Sequence, residues 1–111
     1  MASNLEKNKS YYAVIFTSNL SNDTTDYSTV AEKMEELAKQ QPGFLGVESA
    51  RDHSGLGITI SYWESLAAIE NWKQNALHKE AKKIGREQWY ENFHLRICLV
   101  EKEFKFHRGT L

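Results

Sequence analysis

The chain has one cysteine, one proline, no appreciable net charge and no long apolar run, and each shortage removes a class of protein. A lone thiol, Cys98, excludes an intramolecular disulfide framework and fits a reducing compartment, the cytoplasm by default. Fourteen basic against fifteen acidic residues leave a net charge of −1, so no bulk field draws the protein to a nucleic-acid backbone or an anionic membrane. Neither nucleic acid nor membrane is expected as a partner. No stretch approaches the roughly 20 apolar residues of a membrane span, and the first ten residues lack the apolar segment of an export signal. A nucleotide-binding glycine motif is absent, and the four histidines show no metal-site spacing, so no metal is expected.

What remains is 111 residues that are 41% hydrophobic and include thirteen aromatic rings, enough for one folded domain and no more. Residues 1–10 read as a disordered N-terminal tail, 11–106 as a single domain and 107–111 as a C-terminal tail. Tyr11–Ser18 is β-branched and aromatic at nearly every position, as a strand covered on both faces should be. A polar loop follows, offering Thr25 or Asp26 as N-cap to an amphipathic helix whose apolar stripe is Tyr27, Val30, Ala31, Met34, Leu37 and Ala38. Pro42-Gly43 ends that helix. Phe44–Asp52 and Leu56–Trp63 form a hairpin through His53-Ser54-Gly55. Ser65 caps a second helix carrying Leu66, Ile69, Trp72 and Ala76, a helical pattern resumes through Leu77, Ala81, Ile84 and Trp89, and Gly85 marks a bend or break in it. Phe93–Phe106 is a long final strand.

Strand, helix, strand, strand, helices, strand is the order of an α+β, ferredoxin-like split β-α-β fold with a four-stranded antiparallel sheet. Helices cover one face of such a sheet. The third strand carries Ile58, Ile60 and Tyr62 on one side and Thr59, Ser61 and Trp63 on the other, so neither side is built for water. A second copy of the chain is the simplest cover for the helix-free face, which predicts a homodimer.

The strings Gln41-Pro42-Gly43-Phe44-Leu45-Gly46-Val47-Glu48-Ser49 and Ser61-Tyr62-Trp63-Glu64-Ser65, then Trp72, His78 and the closing Trp89-Tyr90-Glu91-Asn92-Phe93, resemble the antibiotic biosynthesis monooxygenase (ABM) family from about Tyr11 to Phe106. The resemblance implies a dimeric α/β barrel of two ferredoxin-like subunits. Family members include cofactor-free oxygenases of polycyclic aromatics and heme-degrading proteins. In the oxygenases the tryptophan of the Trp-Glu-Ser segment, here Trp63, lines a pocket between helices and sheet. This chain departs from their pattern, with Thr59 four residues before that tryptophan where an asparagine can stand, Ile69 in place of a tyrosine, and Lys83 near a later arginine. The heme-degrading members space two tryptophans as Trp63 and Trp72 are spaced, but Lys82 occupies their proximal histidine position and their first-strand asparagine has no counterpart.

The leading expectation is therefore a cofactor-independent monooxygenase for a small aromatic or quinol-like ligand, with heme binding as the alternative and a non-catalytic ligand-binding dimer as a third. Trp63 and Trp72 are the expected pocket walls, Thr59 and Ser61 the hydroxyl contacts, and His78, whose imidazole titrates near neutrality beside an apolar stripe, the proton relay. His53 and His107 are expected in solvent, and His94 on either side of the last strand. Lys79, Lys82, Lys83 and Arg86 form a basic helical face, read either as solvated or as an entrance for an anionic substrate. Cys98 is expected to be a buried small hydrophobe. Arg51 and Arg96 are expected either in ion pairs or as anchors for a carboxylate or phenolate.

Overall fold

A computed structural model describes residues 10–109; most of the expected N-terminal tail and the last two residues lie outside them. The elements are β1 (Tyr11–Leu20), α1 (Tyr27–Lys39), β2 (Phe44–Arg51), β3 (Leu56–Trp63), α2 (Leu66–Lys73), α3 (Ala76–Ile84), a π-helical turn (Gly85–Trp89) and β4 (Tyr90–Val100). The strands lie in the order β2-β3-β1-β4, and every neighbouring pair is antiparallel. This is the α+β ferredoxin-like arrangement read from the chain, and β3 has the expected bounds.

Local chemistry explains the boundaries. The Ser65 hydroxyl accepts the Ala68 amide at 3.1 Å, capping α2. Asn75 interrupts the helical pattern because its side-chain oxygen accepts the amides of Leu77 at 3.0 Å and His78 at 3.2 Å, starting α3 as a separate helix. In the β2–β3 turn the Asp52 carboxylate accepts the amides of Ser54 and Leu56 and the Ser54 hydroxyl, and these bonds, the Ser54 hydroxyl foremost, hold its pKa below the ordinary carboxylate value. Gly43 has φ 85° and passes so close to α2 that a Cβ there would lie 2.6 Å from that of Ala68, so glycine is required twice over.

Two expected boundaries hold with a different local cause, and a third moves. Asp26 stands at the α1 N-cap in a left-handed conformation, φ 64°, without a side-chain cap; the loop is tied instead by Asp23, whose carboxylate accepts the Thr25 amide and hydroxyl. Gly85 marks the expected change in the helix but without a break in its path: at φ −57° and ψ −47° the α-helix gives way to the π turn, and the lack of a side chain admits the Tyr90 ring, 2.8 Å from where a Cβ would be. The final strand starts earlier and stops at Val100, and the following segment carries Phe104 and Phe106 at 90% and 73% exposure.

The register assigns the sheet faces. Tyr12, Val14, Phe16 and Ser18 of β1 stand opposite Trp63, Ser61, Thr59 and Gly57 of β3 and opposite Leu99, Ile97, Leu95 and Phe93 of β4. This face receives the helices, since Trp63 packs with Ala38 of α1 and Ile69 of α2, flanked by Tyr12, Val14, Phe44, Ala68 and Trp72. The helix-free face carries Leu56, Ile58, Ile60 and Tyr62 of β3, with Leu56 and Ile58 47% and 44% exposed. None of the described helices is long and apolar enough to cross a membrane.

Candidate functional site

Trp63 is the last residue of β3, and strand alternation turns it toward the helices, where it is fully buried. Phe44 meets it edge-on with centroids 5.4 Å apart, and its indole N–H donates to the Ser61 hydroxyl, two residues back on the same face, at 2.9 Å. Two expected ligand contacts are thus engaged with each other. Trp72, near the end of α2, stacks on Trp63 at 6.2 Å and 25°, and His78 of α3 stacks on Trp72 at 4.1 Å and 15°. The result is a ladder of three aromatic planes running from the core through half-buried Trp72 to half-buried His78.

The His78 ring is fixed at one nitrogen. Nδ1 lies 3.1 Å from the Trp72 carbonyl, which can only accept, so Nδ1 carries the proton and Nε2 keeps its lone pair. Among the described residues Nε2 has no hydrogen-bond partner. Burial holds the imidazole pKa below its ordinary value, and nearby Lys82 adds to the lowering while the Trp72 carbonyl opposes it. His78 is therefore a neutral base near pH 7. Thr59 stands opposite Phe16 on the same sheet face, its hydroxyl unpartnered among the described residues, about 13 Å along β3 from Trp63.

The structure adds an apolar strip that alternation had grouped without indicating where it faces. Phe93, Leu95, Ile97 and Leu99 point to the helix side yet remain 40–49% exposed, so the sheet beside Tyr12, Val14 and Phe16 is an incompletely covered apolar floor. Only the register could reveal this, because it decides which side of β4 shares the face of Trp63.

Other expectations resolve differently. Arg51 forms no ion pair among the described residues: it donates to the Ser18 hydroxyl at 2.9 Å, the Tyr27 hydroxyl at 3.2 Å and the Gly55 carbonyl, with its guanidinium 5.6 Å from the Tyr27 ring centroid. Burial, then a hydrogen bond with Tyr27, pushes the Tyr90 phenol well above its ordinary pKa. Arg96 and His94 are exposed on the helix-free face, His53 is exposed in the hairpin turn, and Cys98 is only partly buried. A separate open depression, bordered by Pro42, Gly43, Glu64, Ala68, Asn71 and Gln74, contains no aromatic residue and no histidine. No group of three metal-ligating side chains occurs among the described residues.

The family model described as "Antibiotic biosynthesis monooxygenase" matches residues 13–84, from β1 through the end of α3. The chain belongs to the ABM family. The uncharacterized protein YqjZ of Bacillus subtilis is 48% identical over 100 residues that cover 90% of this chain and 88% of that one. The jasmonate monooxygenase ABM of Pyricularia oryzae is 29% identical over 94 residues, covering 80% of this chain but only 43% of the larger protein. Among solved structures, SnoaB, a cofactor-independent oxygenase from Streptomyces nogalater, superimposes with a TM-score of 0.72 over 84% of this chain and 95% of that one; at 10% identity it shares the ABM fold.

Proposed function

We propose that this ABM-family protein is a cofactor-independent monooxygenase acting on a small aromatic or quinol-like compound in a reducing cytoplasm. The observation that carries the reading is His78, stacked on Trp72 with Nδ1 engaged and Nε2 unpartnered among the described residues. An anthrone-type methylene loses a proton to Nε2, and the resulting carbanion reduces oxygen and bonds to it. The peroxide so formed takes the proton back from the imidazolium and eliminates water, leaving a ketone. The substrate CH2 and O2 become C=O and H2O, so the substrate supplies every electron and no external reductant enters. The edge of the Trp72–His78 stack borders the substrate, Trp63 backs it, and Ser61 supplies a hydroxyl contact through the O–H that its bond to Trp63 leaves free, while Thr59 stands too far along β3 to reach the same small ligand. The names of the jasmonate monooxygenase and of the oxygenase SnoaB support the reaction class.

The protein acts as a homodimer through its helix-free sheet face. Leu56 and Ile58 on that face and the projecting Phe104 and Phe106 are apolar surface that a second copy would remove from water. Heme fits less well. Trp72 is already stacked with the His78 imidazole at 4.1 Å and with Trp63 at 6.2 Å, and the Lys82 ammonium donates to the Lys73 carbonyl at 3.4 Å.

The test is oxygen consumption with dithranol or a hydroquinone. Uptake above the buffer rate that falls in His78→Ala is expected, with no Soret shift on adding stoichiometric heme. Uptake at the buffer rate for every substrate, unchanged in His78→Ala, would remove the reading.

A further inference from the structure

Lys82 lies one turn after His78 on α3, and both side chains end on the last turn of α2: the imidazole on the Trp72 carbonyl, the ammonium on the next one, Lys73, at 3.4 Å. The remaining two ammonium protons have no partner among the described residues. The charges around it are mostly of its own sign. Burial lowers its pKa, Lys73, Arg86 and Lys79 lower it further, and Glu70 alone acts in the opposite direction. The ion pairs among the described residues join Lys39 to Glu35 and Glu36 and Lys73 to Glu70, so Lys79, Lys82, Lys83 and Arg86 form no carboxylate pair. An ammonium without a carboxylate partner, set among other cations, is stabilised when an anion joins it.

The Lys73 carbonyl that takes this ammonium follows Trp72 in the chain, Trp72 packs on the Trp63 cluster with Tyr12 and Val14, and these stand beside the apolar strip of Ile97 and Leu99 on the same sheet face. A ligand satisfying both is charged at one end and apolar along its body. We propose that the site takes a hydrophobic carboxylic acid, its carboxylate on the Lys82 ammonium and its rings or chain against Trp72 and the β4 strip. The proposal rests on the placement of the site at Trp72 and His78, and adds a substrate class to it. Lys82 acts as a specificity-determining residue, discriminating against neutral analogues of the same shape because they would leave its charge unpaired.

The experiment measures binding, not turnover. Quenching of tryptophan fluorescence is titrated with 2-naphthoate and with its neutral isostere 2-naphthamide, on the unaltered protein and on Lys82→Gln, Lys82→Arg and Lys79→Gln. The expected result is a preference for the acid of about tenfold, the size of a charge-assisted hydrogen bond, lost in Lys82→Gln, kept in Lys82→Arg and Lys79→Gln, with amide binding unchanged throughout. Equal affinities for acid and amide, or a preference that survives Lys82→Gln, overturns the proposal. A preference lost equally in Lys79→Gln also overturns it, assigning the effect to a diffuse field. Acid binding without oxygen consumption upholds this proposal and removes the oxygenase reading; oxygen consumption on neutral substrates with no acid preference does the reverse.

Discussion

Two ends of the same helix-covered sheet face hold polar and aromatic side chains of similar kind, and they differ in how much hydrogen-bonding capacity is left over. At the Tyr90 end, Arg51 is surrounded by the Ser18 and Tyr27 hydroxyls and the Gly55 carbonyl, and the Trp89 indole donates to the Thr25 carbonyl at 2.8 Å. At the Trp72 end, the His78 imidazole keeps a lone pair and the Lys82 ammonium keeps two protons. The first arrangement fixes a fold; the second can meet a ligand. Residue type alone would have ranked Arg51 with His78 as anion or proton handlers, and only the saturation of its partners separates them.

Substitutions at the two ends should therefore act on different observables. The largest effect is expected at Arg51→Ala, which strands the Ser18 and Tyr27 hydroxyls. We expect a stability loss of about 2–4 kcal/mol by denaturant unfolding, with ligand affinity unchanged in the protein that remains folded. A site role for Arg51 would show instead as lost binding at unchanged stability. Next is His78→Gln, expected to lower the rate of oxygen consumption about a hundredfold while leaving the unfolding midpoint nearly in place. Gly85→Ala should cost about 1–3 kcal/mol, because its Cβ would enter the space of the Tyr90 ring; an unchanged melting temperature would mean that Tyr90 is not held there.

The smallest effect is a pH dependence. The folded-state pKa of His78 is lowered, so on acidification the unfolded chain takes up the proton first. Its contribution to stability is complete above the ordinary histidine pKa of about 6.5 and is lost as pH falls from there toward the folded value. The unaltered protein should lose more stability between neutrality and mild acid than His78→Gln does. Parallel curves would place the imidazole in solvent at both ends of the transition.

Much of this fold is legible in the chain because it follows from near neighbours. β3 alternates, Ser65 caps, and Pro42-Gly43 stops α1 with residues that touch each other or the next turn. The reason for Gly85 was hidden because Tyr90 returns to it only through a π turn, and the end of β4 at Val100 depends on where β1 begins, at Tyr11. The ladder of Trp63, Trp72 and His78 was legible as three residues but not as a stack. Its order depends on how α2 and α3 meet at Asn75, and that same junction hides the reach of Lys82 back to the Lys73 carbonyl.

The central claim is the state of one imidazole, and a long-range nitrogen–proton NMR correlation of the His78 ring reads it directly. At neutral pH the account predicts a neutral ring protonated at Nδ1, an apparent pKa below that of an exposed histidine, and an Nε2 resonance that moves when an aromatic ligand is added. A ring protonated at Nε2, titrating as an exposed histidine and indifferent to ligand, would contradict it.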